Sequence, residues 1–90
     1  MRVEWDPRKA ASNLRRHKVS FEEASTALED ALSLTGDDPD HSIDEARQIT
    51  FGVSSAGGLL VVSHTERGER IRIISARLAT RTERELYEEG

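Results

Sequence analysis

Between His64 and Arg77 stand His64, Glu66, Arg67, Arg70, Arg72 and Arg77, side chains that can move protons or hold anions. The guanidinium fork of arginine matches pairs of oxygens on carboxylate or phosphate. Histidine, with an ordinary pKa near 6.5, can give or take a proton close to neutrality. Glutamate can take one if its charge is suitably tuned. A pair of packed strands needs none of these charges for its own burial, so their concentration is the main clue to function.

The element that must position them is a β-hairpin. Leu59-Leu60-Val61-Val62-Ser63-His64-Thr65 and Ile71-Arg72-Ile73-Ile74-Ser75-Ala76-Arg77 are rich in Val and Ile and flank a short polar segment with a glycine, the pattern of two strands and a turn. Register decides the faces. A three-residue loop Glu66-Arg67-Gly68, favoured because Gly68 then takes the left-handed position, puts His64 opposite Arg70. Leu60, Val62, His64, Arg70, Arg72 and Ile74 would then share one face, and Leu59, Val61, Ser63, Ile71, Ile73 and Ser75 the other. A two- or four-residue loop instead places His64 with Ile71 and Ile73, as a packed core histidine.

Ninety residues allow one domain, 1–90, with a small core. Hydrophobic residues make up 36% and charged residues 33%, a balance that fits a soluble chain. No apolar run approaches the roughly 18–20 residues of a membrane span, the first residues do not resemble a signal peptide, and cysteine is absent. A cytoplasmic location is the expectation. The net charge of −4 argues mildly against a nucleic-acid partner, but its distribution softens that. Residues 1–20 carry +4, residues 21–58 carry −8, and residues 59–90 balance, with five arginines from Arg67 to Arg81. A local anion site is compatible with that layout.

In chain order, Arg2–Trp5 starts as a short strand. Asp6-Pro7 reads as an N-cap and first helical proline, opening a helix to about His17. Ser20 with Glu23 is a capping-box pattern for a helix to about Leu28. Ala31–Thr35 is a strand candidate, Gly36–Asp44 an acidic loop, Arg47–Val53 a strand and Ser54–Gly58 a turn. After the hairpin, Thr80 with Glu83 opens a last helix to about Glu89. The order β-α-α-β-β-β-β-α predicts an α+β domain: a small, mostly antiparallel sheet with helices on one side.

The whole chain resembles the BrnT family of ribonuclease toxins. The matching residues are Glu4-Trp5-Asp6 with Lys9, Asn13 and His17; Val19-Ser20-Phe21-Glu22-Glu23-Ala24; Asp37-Asp38-Pro39-Asp40-His41 with Glu45 and Arg47; Gly58-Leu59-Leu60-Val61-Val62; Thr65-Glu66-Arg67; Arg72-Ile73-Ile74-Ser75-Ala76-Arg77 with Ala79; and Glu83-Arg84 with Tyr87. The resemblance implies a RelE-like fold and an RNA endonuclease that inhibits translation without a metal or other cofactor. It also implies a cognate BrnA-like ribbon-helix-helix antitoxin that carries the DNA contact. A second reading keeps the fold and the antitoxin but not the catalysis: an interaction module active only in repression of its own operon.

Metal-free RNA cleavage needs a base for the 2′-hydroxyl, cations for the charged transition state and an acid for the leaving 5′-oxygen. On the family match Arg77 is the first candidate for phosphate stabilisation, with an ion pair to a helix carboxylate such as Glu83 as its structural alternative. Arg67 is next, the alternative being a solvated turn residue. His64 could serve as base or acid, and Glu66 as base. Arg70 and Arg72 would track the RNA backbone, or pair with acidic residues. Arg47, Arg81 and Arg84 complete the RNA-binding candidates, Arg47 also being a partner for Glu45. Asp37, Asp38, Asp40 and His41 form an acidic loop whose spacing is not that of a calcium-binding loop, and no metal is expected there. Trp5, Phe21 and Tyr87 are expected to be core or interface residues.

Overall fold

The computed structural model describes residues 2–38 and 46–89. Its elements are β1 (Arg2–Glu4), α1 (Pro7–His17), α2 (Phe21–Leu28), β2 (Leu34–Asp37), β3 (Arg47–Val53), β4 (Leu59–Arg67), β5 (Arg70–Leu78) and α3 (Arg81–Glu89). The element order agrees with the sequence expectation. One sheet runs β1-β5-β4-β3-β2, with β1 parallel to β5 and the other pairs antiparallel.

The local signals act as their chemistry dictates. Asp6 caps α1, its Oδ1 accepting the Arg8 N–H at 2.8 Å. Ser20 Oγ accepts the Glu23 N–H at 3.0 Å, but the Glu23 carboxylate takes the Ser54 hydroxyl at 2.7 Å. That arm of the expected box therefore ties α2 to the β3–β4 turn. At α3 both arms close: Thr80 Oγ1 accepts the Glu83 N–H at 3.1 Å, and Glu83 Oε1 accepts the Thr80 N–H at 2.9 Å.

Three expectations need correction. The second strand begins at Leu34, not Ala31, and takes in Gly36 and Asp37. Asp30 is the cause: its carboxylate accepts the Leu32 N–H at 3.0 Å and the Val53 N–H at 2.9 Å, turning the chain before it can extend. The hairpin loop is the two-residue Gly68-Glu69, since Arg67 pairs with Arg70. Gly68 has φ +63°, as the first central residue of a type II′ turn requires. Finally, only α1 and α2 pack on one side of the sheet. The third helix lies toward the other side, where Glu83, Leu86 and Tyr87 line a cleft with Leu34 and Phe51.

The core lies between α1, α2 and the sheet. Val19, Phe21, Ala24 and Ala27 meet Leu60, Val62, Ile73 and Ala76, and Trp5 sets its ring edge on Phe21 at 6.0 Å. Gly52 lets α2 approach: a Cβ there would lie 2.2 Å from the Ala27 carbonyl oxygen. Asn13, buried, joins α1 to β5. Its amide donates to the carbonyls of Val19 at 3.0 Å and Ala76 at 2.8 Å and accepts the Ala76 N–H at 3.1 Å. Between Ser63–Ser75 and His64–Ile73 the register slips, leaving Ile74 without a cross-strand partner. No helix among the described residues is long and apolar enough to cross a membrane.

Candidate functional site

Paired residues on neighbouring strands share a face. On the sheet face turned away from α1 and α2, one row crosses three strands as Arg2, Arg70 and Arg67. The next row reads Glu4, Arg72, Thr65 and Arg47. One corner of this outer face therefore gathers Arg2, Arg47, Arg67, Arg70 and Arg72 from four strands, with the Glu4 carboxylate among them. Glu4 bonds Arg72 at 2.9 Å and Arg70 at 3.3 Å. The Arg72 hydrogen bond leads in holding its carboxyl below the usual range. Arg70, at 58% side-chain exposure, keeps most of its donors toward solvent.

Four of these arginines were expected from the sequence. Arg2 and its neighbour Glu4 were not, because only the parallel pairing of β1 with β5 brings the N-terminal strand to the hairpin. The alternating charges of Arg2-Val3-Glu4 opposite Arg70-Ile71-Arg72 are the one signal that could have suggested it.

Arg77 sits on the same face, opposite Val61, toward the other end. Its guanidinium grips Glu83 through two bonds of 2.7 and 2.9 Å. Glu83 raises the arginine's pKa, and chiefly through this bond the Glu83 carboxyl falls to about 2. The structure thus engages Arg77 with the helix carboxylate that the sequence offered as its structural partner. Arg81 extends into solvent beside Glu85, and Arg84 borders a cleft with Leu59, Leu78 and Tyr87. Neither reaches the arginine corner's two rows.

The two-residue turn corrects the favoured face of His64. The ring pairs with Ile73, is 3% exposed, and shares the Leu60–Val62 face under the helices. Its Nε2 meets Thr50 Oγ1 at 2.7 Å, which in turn meets Thr35 Oγ1 at 2.7 Å. Burial drives the imidazole pKa below its usual value, and the nearby Glu66 charge opposes this. Glu66, opposite Ile71, also lies on the helix side, away from Arg67, Arg70 and Arg72. The sequence candidates therefore separate into an outer arginine corner, an Arg77–Glu83 clamp and an inner histidine. Asp37 ends β2 and Asp38 is buried. Asp40, His41 and Glu45, with the rest of the expected acidic loop, lie outside the described residues. Among the described residues no three potential ligands cluster as a metal site would require.

Fold and site together define a small α+β protein whose open sheet face gathers five arginines at one corner. The profile of the ribonuclease toxin BrnT of type II toxin–antitoxin systems matches residues 5–83, and the chain belongs to that family. The crystal structure of the Brucella abortus ribonuclease toxin BrnT is similar to it, with a TM-score of 0.66 over 90% of this chain and 99% of that one, at 23% identity. Its fold is therefore shared. No curated protein sequence matches the chain.

Proposed function

We propose that this chain is an endoribonuclease that inhibits translation and cleaves RNA without a metal ion, by attack of a ribose 2′-hydroxyl on the adjacent phosphate. A 2′-O–P bond forms, the P–O5′ bond breaks, and the products are a 2′,3′-cyclic phosphate and a 5′-hydroxyl. The arginine corner supports this reading: five arginines gathered on one open face can hold the scissile phosphate and stabilise the extra charge of the transition state. Arg67 and Arg72 meet the phosphate, Arg47 and Arg70 guide the flanking backbone, and Arg77 holds α3 on the same sheet face beyond the corner. Glu4 and Glu83, held as low-pKa carboxylates, are weak bases, and His64 is turned inward. With no stronger base among the described residues of the corner, solvent in this reading takes the 2′-hydroxyl proton and returns one to the 5′-oxygen. The partner is a cognate BrnA-like ribbon-helix-helix antitoxin, which covers the toxin and supplies the DNA contact.

A second reading, a non-cleaving module that serves only its antitoxin, draws support from the tie between Arg77 and Glu83. Cleavage of single-stranded RNA by the purified, antitoxin-free chain in the presence of a chelator separates the two. The wild type should cut, and the Arg67→Ala/Arg72→Ala pair should lose at least about 100-fold in rate. A folded wild-type chain that leaves RNA intact would establish the second reading.

A further inference from the structure

A second cationic feature lies outside the arginine corner. Lys9, Ser12, Arg16 and His17 of α1 line an open pocket of about 170 Å³ against Ile74 and Ser75 of β5, with Asn13 in its wall. Helical spacing explains the cluster: positions 9, 12, 13 and 16 follow in steps of three and four and fall on one face. The sheet explains the opening. Partner strand β1 covers β5 only from Arg70 to Arg72, so the edge beyond has no strand beside it. Asn13 takes both backbone groups of Ala76 and closes the edge one step further on.

The lining carries two permanent cations, an imidazole and two hydroxyls, and no carboxylate. Among the described residues no ion pair engages Lys9 or Arg16. Donors that converge in this number from a helix and a strand edge suit a tetrahedral oxyanion better than a planar carboxylate. Position favours a polymer over a free anion. Ser75 pairs with Ser63 on the outer face and follows Arg72 by three residues, about 10 Å along the strand. One phosphodiester chain can therefore occupy the corner and the pocket together.

We propose that the pocket between α1 and the open edge of β5 is a second phosphate subsite, filled by the backbone of the RNA strand whose scissile bond lies over the arginine corner. This rests on the RNA-cleaving reading and adds a path to it: the strand leaves the sheet face over β5 and is held by Lys9 and Arg16, with Ser12, Ser75 and His17 as further donors.

The test is titration of the full, antitoxin-free chain with a fluorescent 2′-O-methyl single-stranded oligonucleotide, which it cannot cut, across a salt series. Lys9 and Arg16 are exposed, so Lys9→Ala/Arg16→Ala should melt as the wild type does. It should bind about 10-fold more weakly, and its log–log salt slope should be shallower by about 1.4, two phosphate contacts at about 0.7 each. Cleavage should show a raised KM with kcat much less affected, and Lys9→Arg should restore binding. Unchanged affinity and slope in the double variant, while Arg67→Ala/Arg72→Ala still weakens binding, would overturn the subsite and leave the RNA reading standing. A wild-type chain that fails to bind the oligonucleotide would remove both. A mononucleotide 5′-phosphate bound as tightly as the oligonucleotide, or a double variant that loses antitoxin but not RNA, would reassign the pocket and overturn the inference.

Discussion

Neighbours decide what His64 can do. Beside a flexible arginine it would be a proton carrier; under α1 and α2, held by Thr50, it is a polar core residue. Its pKa is depressed in the folded chain, so near and below pH 6.5 the unfolded chain binds the extra proton first. Stability is then full above that pH and falls as pH drops toward the folded value. Denaturant titrations of the wild type between pH 7 and pH 5 should show this loss, and His64→Gln should lack it; equal slopes in both would contradict the assignment. The residue's type was legible in the sequence, but its face was not. One residue of turn length moved it across the sheet, and both loop lengths offered Gly68 a use. Arg77 was legible in a different sense: position 83 supplied a carboxylate within reach, and the capping box that fixes Glu83 could be read three residues from Thr80.

Elements whose signals act within a few residues were the most readable. Asp6-Pro7, Ser20 and Thr80 start their helices where the sequence places them, because a cap needs only a hydroxyl or carboxylate and a nearby N–H. The parallel β1–β5 pair was not readable, since Glu4 and Arg70 stand 66 positions apart. The start of β2 failed for a related reason: Asp30 reaches across to Val53, a contact that no local pattern encodes. Helix-to-sheet distance is set at Gly52, where the α2 backbone leaves no room for a methyl group. Gly52→Ala should cost about 3 kcal/mol by denaturant unfolding, through overpacking against an unyielding carbonyl. A loss below about 1 kcal/mol would mean that α2 can lift from β3 freely.

At the scale of the whole molecule, charge is sorted rather than balanced. The chain is net −4, yet its outer corner is strongly cationic and −8 is confined to residues 21–58. Attraction for RNA should therefore be local and salt-sensitive. With about five phosphates engaged, affinity for an uncleavable oligonucleotide should fall on the order of 100-fold between 50 and 200 mM salt. A flat salt response would show that the corner does not meet the backbone. What sorts the charge on β5 is the unpartnered Ile74. Strand side chains obey parity: even positions look one way and odd positions the other. Arg70 and Arg72 are even, Ser75 and Arg77 odd, yet all four share the outer face, because one supernumerary residue between them resets the count. Ile74 is thus a phase shifter. Were Ile74 instead taken into a regular ladder, with no slip in register, Arg77 would turn into the apolar layer under α1 and α2, its clamp on Glu83 would be lost, and α3 would be released from the outer face of the sheet.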